Sequence, residues 1–416
     1  MDEGSAISTG PAGGVAGVVG GADQSGVRLY NERLILTLVR RFGPLSKVEV
    51  ARLTGLSVQS TTAIMNRLQD EGLLRREAAL RGKVGQPTIP MSLDPQGAFS
   101  IGLKVGRRSC DLVLIDFCGG VRKRETDVFA YPTPTRLKAF VASAFAGILG
   151  ALNADEKKRI QGVGVAAPFE LWKWAEEIGA PEGEMEAWKG FDIETEVRAL
   201  CGFPTMLFND ATSACAAEFF FGQAWRRRDF LYFFVGTFVG GGVVLNGAIH
   251  SGRTGNAGAI GSMPVARRTE RGFGVAQLIA TASILQLERR VESAGLDPSS
   301  IWRTPSSWDD FGAPLEAWIA EAAFGLAQAA IAALSVIDFE AIVIDGGMPV
   351  GVRKRLRDRV EEEFRAMDRR GLSDVEIIEG AVGADARAIG GAAWPLIKSF
   401  ARDREVLFKD AQSGAP

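Results

Sequence analysis

The spacing of apolar and polar residues changes several times along the first hundred positions. Residues 1–27 are rich in Gly, Ala and Ser without periodicity, which predicts a disordered tail. Residues 30–42 ("YNERLILTLVRRF") place apolar side chains among charges and predict a helix, which the "GPL" that follows ends. Two more helices are predicted in "SKVEVARLTG" and "LSVQSTTAIMNRLQDEGLL".

Local signals mark the ends of these two helices. Ser46 with Glu49 three residues later forms a capping box, in which each side chain bonds a backbone N–H that the helix leaves free. Gly55 is able to adopt left-handed geometry and close the turn, and Ser57 is the N-cap of the next helix. The inward stripe of that helix is predicted to be Val58, Thr62, Met65 and either Leu68 or Leu73.

A β-ribbon is predicted after these helices. The run "LLRREAALRGKVGQPTIPMSL" contains two strand-like stretches around a basic, glycine-rich turn. Three helices followed by a ribbon make a winged helix-turn-helix over residues 28–95, and the second helix of such a pair enters the DNA major groove. The alternative for this region is a small helical domain used for dimerisation or protein contact.

The charge distribution favours the DNA-binding interpretation. Residues 28–95 hold eleven Lys and Arg against six Asp and Glu, whereas the whole chain has a net charge of −2. A basic module on an acidic body is typical of a nucleic-acid reader. The predicted DNA contacts are Ser57, Gln59, Ser60, Thr61, Thr62, Asn66, Arg67, Arg81, Lys83 and Gln86. Further candidates for phosphate contacts are Arg40, Arg41, Arg52, Arg75 and Arg76.

From residue 98 onward, strand-like and helix-like runs alternate. The strand-like runs are "FSIGLKVG", "DLVLIDF", "IQGVGVAA", "TMLFN", "FLYFFVG", "GGVVLNGAI", "AIVIDGG" and "VEIIEG". The helix-like runs are 135–151, 211–223, 312–337, 351–368 and 383–400. This order predicts two α/β lobes around a cleft, the first formed by 96–215 with 383–402 and the second by 216–382. The apolar helix at 312–337 is expected in the core, with a dimer interface as the alternative.

Composition limits the classes of protein. The chain has 416 residues, of which 46% are hydrophobic and 24% charged, as in soluble globular proteins. Apolar runs reach about ten residues, whereas a membrane span needs about 20. The N-terminus lacks the apolar region of a secretory signal, so a cytoplasmic location is expected.

Cysteine and histidine are scarce. Cys110, Cys118, Cys201 and Cys215 form no CxxC pair and are expected to be buried small hydrophobes without disulfides. The one histidine, His250, is expected at the surface or in a hairpin. A structural zinc site needs four grouped Cys or His ligands, so we expect neither a metal nor another cofactor.

Several long segments, in order, resemble the ROK family, which contains repressors and sugar kinases. The segments are "SKVEVARLTGLSVQSTTAIMNRLQDEGLL", "GQP", "MLFNDATSACAAE", "VGTFVGGGVVLNGAIHSGRTGNAGAIGSM" and "AIVIDGG". The first is similar to the DNA-binding half of the repressor branch, and "GQP" is close to its usual Gly-Arg-Pro. The resemblance implies an α/β multidomain chain, in which the winged helix precedes a two-lobed, actin-like and ribonuclease H-like sugar-kinase body.

The phosphate loops depart from the kinase pattern that this resemblance implies. Where the first loop of a family kinase has DxGxT, this chain has "LKVGRRSCD", with Lys104 in place of the Asp and Arg107 and Arg108 in place of small residues. In the second loop, "GTFVGGG", Phe238 puts a ring where the backbone approaches phosphate. Both changes argue against ATP chemistry. The simpler interpretation of Gly236 and Gly240–Gly242 is a tight strand connection.

The sugar site that the resemblance implies is only partly retained. Asn209 and Asp210 match an Asn-Asp pair whose Asp is the general base in family kinases, so Asp210 is expected to be vestigial. In the family's ExGH motif, Ala259 replaces the Glu and Ser262 replaces the His, which also binds zinc. The expected effector-binding residues are Asn209, Asp210, Asn256, Ala259 and Ser262.

The zinc cluster of the family is also missing. The corresponding segment, "RTERGFGVAQLIATAS", has no Cys, and Ile279 stands in place of a sugar-binding Glu. This segment is therefore expected to fold by apolar packing of Phe273, Val275, Leu278 and Ile279.

The leading hypothesis is a DNA-binding regulator, a repressor of sugar or polyol uptake and use, with a non-catalytic kinase-like sensor. Its expected partners are a palindromic DNA operator, a second copy of the chain, and a sugar, polyol or sugar phosphate as effector. The alternatives are a sugar kinase with an added DNA-binding domain, and a regulator controlled by a protein partner.

Overall fold

The computed structural model describes residues 24–80, 88–181, 183–269, 272–303 and 307–402. Most of the predicted tail lies outside these ranges, but residues 24–27 belong to the first helix instead of the tail. Arg81, Lys83 and Gln86 of the predicted wing also lie outside the described residues.

The N-terminal part is a winged helix-turn-helix, as predicted. It consists of α1 (Gln24–Phe42), α2 (Lys47–Thr54), α3 (Val58–Asp70), β1 (Leu74–Arg76) and β2 (Met91–Leu93). The strands β1 and β2 pair antiparallel, and a further bridge joins Leu80 to Thr88. These bridges are the base of a wing.

The predicted caps are present. The Ser46 hydroxyl accepts a hydrogen bond from the Glu49 N–H at 3.2 Å, and the Ser46 N–H donates to Glu49 Oε2 at 2.8 Å. Gly55 ends α2 with φ +74°, in the left-handed region where glycine is favoured.

The predicted inward stripe of α3 was partly wrong. Val58 is 52% exposed, and Thr62 is half-buried. The buried residues of α3 are Thr61, Ile64, Met65 and Leu68. These positions follow the helical period of 3.6 residues, whereas Val58 lies in the first turn and faces solvent.

The body begins with elements of the first lobe. In chain order these are β3 (Phe99–Val105), β4 (Ser109–Asp116), β5 (Val121–Val128), α4 (Pro134–Gly150), α5 (Ala154–Lys157), β6 (Ile160–Ala167), α6 (Ile193–Cys201), β7 (Thr205–Asn209) and α7 (Asp210–Phe221). The strands form a sheet ordered β5-β4-β3-β6-β7, in which β3 is antiparallel to β4 and parallel to β6.

The second lobe follows, and the last helix returns to the first. Its elements are β8 (Phe230–Val235), β9 (Val239–Leu245), β10 (Ala248–His250), β11 (Pro264–Thr269), β12 (Gly272–Gln277), α8 (Ile279–Ala282), α9 (Ile284–Ser293), α10 (Ser300–Arg303), α11 (Gly312–Leu334), β13 (Ala341–Gly346), α12 (Val350–Ala366) and β14 (Glu376–Glu379), before α13 (Ala386–Phe400). Its main sheet has the order β10-β9-β8-β13-β14, and β11 pairs with β12 in a separate hairpin. Short 3₁₀ turns lie at Leu171–Trp174, Glu184–Trp188, Ala224–Arg226, Ile260–Ser262, Asp309–Phe311 and Gly383–Asp385.

The winged helix and the first lobe share one hydrophobic core. Ile35 and Val39 of α1 and Met65 of α3 belong to the same buried cluster as Phe117, beside β4, and Leu396 of α13. Because apolar packing continues across this boundary, the DNA-binding module is attached by a packed surface as well as by the chain.

The predicted boundary between the lobes, after residue 215, falls inside the continuous helix α7. This helix packs against α13 on one side and against β9 on the other. We therefore propose to place the boundary after α7 instead of within it.

The apolar helix α11 belongs to the core, as expected. Among the described residues, Asp309–Leu334 is the segment that is long and apolar enough to cross a membrane by length and composition alone. Its Trp318 and Leu326 are fully buried in the second-lobe core, so packing inside the protein accounts for its apolar character.

The cysteine and histidine predictions were mostly correct. Cys110, Cys201 and Cys215 are buried, and all four cysteines are free thiols, but Cys118 is exposed. Cys118 lies in the turn after β4, where the chain has left the sheet. His250 is exposed on the edge strand β10, as expected.

Candidate functional site

The exposed face of α3 presents polar side chains. Ser57, Gln59, Ser60 and Asn66 are exposed, and Ser57 Oγ accepts a hydrogen bond from the Ser60 N–H at 3.1 Å. Lys47 of α2 donates to Asn66 Oδ1 at 2.6 Å, which places a cation beside this face. Such amide and hydroxyl groups are able to bond base edges.

The prediction that Thr61 contacts DNA was wrong. Its side chain is 0% exposed because it belongs to the inward stripe of α3. Arg67 forms an ion pair with Glu32 of α1, and Thr62 is half-buried. The exposed polar face of α3 is therefore narrower than the predicted set of DNA contacts.

Arg40 and Arg41, predicted to contact phosphates, both lie against the body. Arg40 donates to the carbonyl oxygen of Phe117 at 2.7 Å and lies 4.3 Å from the ring centre of Phe220. Arg41 lies 5.7 Å from the ring centre of Trp225. Burial lowers the pKa of Arg40 to about 10. Both arginines join α1 to the body, whereas Arg52, Arg75 and Arg76 remain exposed.

A cavity of about 180 Å³ lies between the lobes. All five predicted effector residues line it: Asn209, Asp210, Asn256, Ala259 and Ser262. They come from the junction of β7 with α7 and from the loop after β10. Other lining residues were not predicted as effector contacts, namely Phe169, Glu170 and Trp174 from the segment after β6.

Asp210 is held by an arginine that the sequence did not reveal. Arg387 of α13 forms an ion pair with Asp210 Oδ2 at 3.3 Å, and both side chains are only 13% exposed. Asp210 Oδ1 also accepts from the Ala211 N–H, while Asn209 caps α7 through its Oδ1. A carboxylate engaged in this way is poorly placed to remove a proton from a substrate hydroxyl.

Lys104 is also engaged. Its Nζ lies 2.5 Å from Asp111 Oδ2 and 2.8 Å from Ser109 Oγ, in a buried pair between β3 and β4. Burial, with a smaller effect of Arg387, lowers the pKa of Lys104. The position for which the resemblance implies the Asp of the first kinase loop therefore holds a lysine that is paired with Asp111.

Arg107 and Phe238, two further departures from the phosphate loops, contact each other. The guanidinium carbon of Arg107 lies 4.3 Å from the centre of the Phe238 ring, and Phe238 lies 4.8 Å, centre to centre, from Trp174. The three residues line the same cavity. Burial lowers the pKa of Arg107 to about 10, still far above neutral pH, so it is charged there.

The glycines near the cavity are explained by close packing of backbone. A Cβ on Gly242 of β9 would lie 2.4 Å from the Cβ of Cys215 in α7. Gly258 has φ +81°, and a Cβ there would lie 2.8 Å from the carbonyl oxygen of Gly241. The connection between β8 and β9 is three residues long and contains Gly236, whereas Gly240–Gly242 lie within β9.

The segment that replaces the zinc cluster does not fit a zinc ion. It folds as the hairpin of β11 and β12, followed by α8, and the sequence has no Cys after residue 215. Over the described ranges, no group of three or more His, Cys, Asp or Glu side chains is placed to hold a metal. Leu278 is buried as predicted and Ile279 packs against the core, but Phe273 is 69% and Val275 81% exposed, so these two do not join the predicted apolar packing.

The chain is similar to known proteins in both of its parts. The model of the ROK family matches residues 100–398, and a model of the MarR family matches residues 30–83. An uncharacterised protein of Sinorhizobium fredii, y4fQ, is 25% identical over 89% of this chain and 91% of its own length. The xylose repressor of Bacillus spizizenii is 22% identical over 59% of this chain, which spans 62% of that repressor.

Solved structures share the fold. A ROK family transcriptional regulator described as a homologue of the Escherichia coli MLC protein has a TM-score of 0.60 at 16% identity, over 90% of this chain and 98% of that one. A ROK family glucokinase from Streptomyces griseus has a TM-score of 0.54 at 18% identity, over 71% of this chain and 98% of the kinase.

Proposed function

The chain belongs to the ROK family, and we propose that it is a sequence-specific DNA-binding transcriptional regulator that represses genes of sugar or polyol uptake and catabolism. One observation carries this proposal: a capped helix-turn-helix with an exposed polar face on α3 is packed onto a kinase-like body whose Asp210 is paired with Arg387. Relatives in both parts of the chain support it, including a xylose repressor.

DNA is recognised by α3 and the wing. Gln59, Ser60 and Asn66 contact base edges in the major groove, and Ser57 contacts the backbone at the start of the helix. Arg67 and Thr62 lie at the edge of this surface. Arg81, Lys83 and Gln86 of the wing contact phosphates or the minor groove.

The body is a sensor and not an enzyme. Catalysis of phosphoryl transfer needs a free base on the sugar hydroxyl and a loop that receives phosphate oxygens. Here Asp210 is paired with Arg387, and Lys104 is paired with Asp111. We expect no ATP-dependent phosphorylation of glucose, xylose or N-acetylglucosamine by the purified chain. Phosphorylation that disappears in Asp210→Asn would contradict the proposal.

The helix α7 connects the sensor to the DNA-binding module. Its first residue, Asp210, lines the cavity, and Phe220 and Phe221 at its other end contact Arg40 of α1. Twelve residues of helix span roughly 18 Å. A ligand that binds more tightly to one position of α7 favours the matching position of the winged helix and so changes the affinity for DNA. By thermodynamic linkage, DNA binding changes the affinity for the ligand by the same factor.

The regulator acts in the cytoplasm as a dimer on a palindromic operator. One winged helix covers only a short half-site, and a two-fold symmetric dimer matches a palindrome. Asn209, Asp210, Asn256, Ala259 and Ser262 contact the effector.

The test is a gel-shift titration of the full chain on DNA from upstream of its own gene, at two salt concentrations. We expect salt-sensitive, sequence-selective binding, and Gln59→Ala with Ser60→Ala should reduce specific affinity by about ten- to a hundred-fold. Gln69→Ala, at the last turn of the same helix, is the matched control. Binding that ignores sequence, or that the double substitution leaves unchanged, would sink the proposal.

A further inference from the structure

Arg107 is a buried cation with an unused donor. Its side chain lines the cavity, the residue is only 8% exposed, and its Nε is buried without a hydrogen-bond partner in the described part of the chain. An unpartnered charged donor inside a protein is destabilising, because burial removes water without replacing its hydrogen bonds. A ligand whose oxygens pair with the cavity-lining guanidinium would offset the cost of its burial.

The other charges around the cavity are already paired. Asp210 is paired with Arg387 at 3.3 Å, and Glu170 is paired with Lys173 at 2.7 Å. The deeper Lys104 is paired with Asp111. Asp210 and Glu177 act on Arg107 through their charges, but neither forms an ion pair with it in the described chain. Among the described residues, Arg107 is therefore the cavity-lining cation for which no ion pair is found.

Aromatic rings lie beside this guanidinium. Phe238 lies against it at 4.3 Å, and Trp174 lies 5.9 Å from it and supports Phe238 from the side. A guanidinium stacked on a ring keeps its N–H groups in a plane, directed away from the ring face. Such a planar set of donors matches the two oxygens of a carboxylate or two oxygens of a phosphate.

Resting on the proposed sensor function, we infer that the effector is a small hydroxylated anion whose carboxylate or phosphate binds Arg107. The polar side chains of Asn209, Asn256 and Ser262 line the same cavity and bind hydroxyl groups of the ligand. The cavity volume of about 180 Å³ is below the range of drug-sized pockets, which fits a ligand built on one sugar-sized unit. Arg107 and Phe238, which interrupt the phosphate loops of a kinase, thus form one anion subsite.

The test is calorimetric titration of the full chain with matched ligands. Glucuronate and gluconate carry a carboxylate, glucose 6-phosphate carries a phosphate, and glucose and xylitol are neutral. We expect at least one anion to bind about ten- to a hundred-fold more tightly than its neutral counterpart, the range for a hydrogen bond to a charged group. Preference for the carboxylates or for the phosphate identifies the source of the anion.

Two variants assign the site. Arg107→Gln should remove the preference for the anion, whereas Arg108→Gln, whose side chain pairs with Glu288 and does not line the cavity, should keep it. Circular dichroism of both variants checks folding. Inorganic phosphate, titrated alone, separates recognition of the whole ligand from binding of any anion.

The outcomes distinguish failure of the anion subsite from failure of the proposed DNA-binding function. Equal affinity for neutral and anionic ligands, an unchanged preference in Arg107→Gln, or silence across all these ligands overturns the anion subsite while gel-shift binding of DNA still stands. Anion binding at Arg107 without any DNA binding overturns the regulator and leaves the subsite.

Discussion

Asp210 shows how one neighbour changes the use of a side chain. It stands at the first position of α7, where a carboxylate is favoured by the helix dipole, and it faces the cavity. Arg387 holds this carboxylate in an ion pair. The position that the kinase resemblance implies for a base is therefore occupied by a paired carboxylate.

This pair makes a measurable prediction. Arg387→Gln should lower the free energy of unfolding by about 1–3 kcal/mol, because Asp210 is left nearly buried without its cation. The double variant with Asp210→Asn should recover part of that loss, since no unpaired charge remains. Urea unfolding of the wild type, both single variants and the double variant measures the coupling. Strictly additive losses would show that the pair contributes nothing.

At the residue scale, the sequence predicted the site residues that lie in recognisable local segments. Asn209, Asp210, Asn256, Ala259 and Ser262 all line the cavity, because their segments are long and characteristic. Arg387 was missed, since it lies 177 positions from Asp210 and no local signal connects them. Thr61 was wrong because a shift of one residue along α3 moves a side chain from the solvent to the core.

At the scale of elements, the sequence predicted the positions of helix caps. It did not predict strands that contain few apolar residues. The capping box of α2 follows from two side chains three residues apart. The strand β5, "VRKRETDV", was missed because it lies at the sheet edge and is mostly exposed, so charge hides its pairing with β4. The helices α6 and α9 and the hairpin of β11 and β12 were also missed.

The capping box should make α2 sensitive to acid. The hydrogen bonds from the Ser46 side chain and backbone hold the pKa of Glu49 below its usual 4.5. The stabilisation is therefore present above pH 4.5 and is lost as the pH falls through the lower folded pKa. Ser46→Ala should lower the free energy of unfolding by about 1 kcal/mol at pH 7. The difference in this free energy between the variant and the wild type should become smaller in acid.

Ser57→Ala is the control for this prediction. Ser57 caps α3 in the same way, but the third residue of that helix is Ser60 and not a carboxylate. At pH 7, Ser57→Ala should affect thermal unfolding about as much as Ser46→Ala does. The effect of Ser57→Ala should not change between pH 7 and pH 4. A gap for Ser46→Ala that stays constant over this range would show that Glu49 takes no part.

At the scale of the whole molecule, the junction between the winged helix and the body is the feature that the sequence left open. Periodicity predicts each element, but it does not say which apolar surface meets which. The shared core of α1, α3, β4 and α13, together with the stacking of Arg40 on Phe117 and Phe220, appears only when the chain is folded.

The junction is tested by removing its central cation. Arg40→Ala should lower the free energy of unfolding by about 2 kcal/mol, since it removes a hydrogen bond to the Phe117 carbonyl and several ring contacts. Arg28→Ala, on the exposed first part of the same helix, should change it by less than about 0.5 kcal/mol. Equal effects of the two substitutions in urea unfolding would contradict a packed junction.

The shared core also decides how this protein is to be recombined with others. A chimera cut at residue 95 would separate Ile35, Val39 and Met65 from Phe117 and Leu396, which complete their packing. A winged helix fused to another body would therefore expose apolar side chains that have no matching surface to pack against. Exchange of operator specificity among such proteins is better made by grafting the exposed side chains of α3 than by exchanging whole modules.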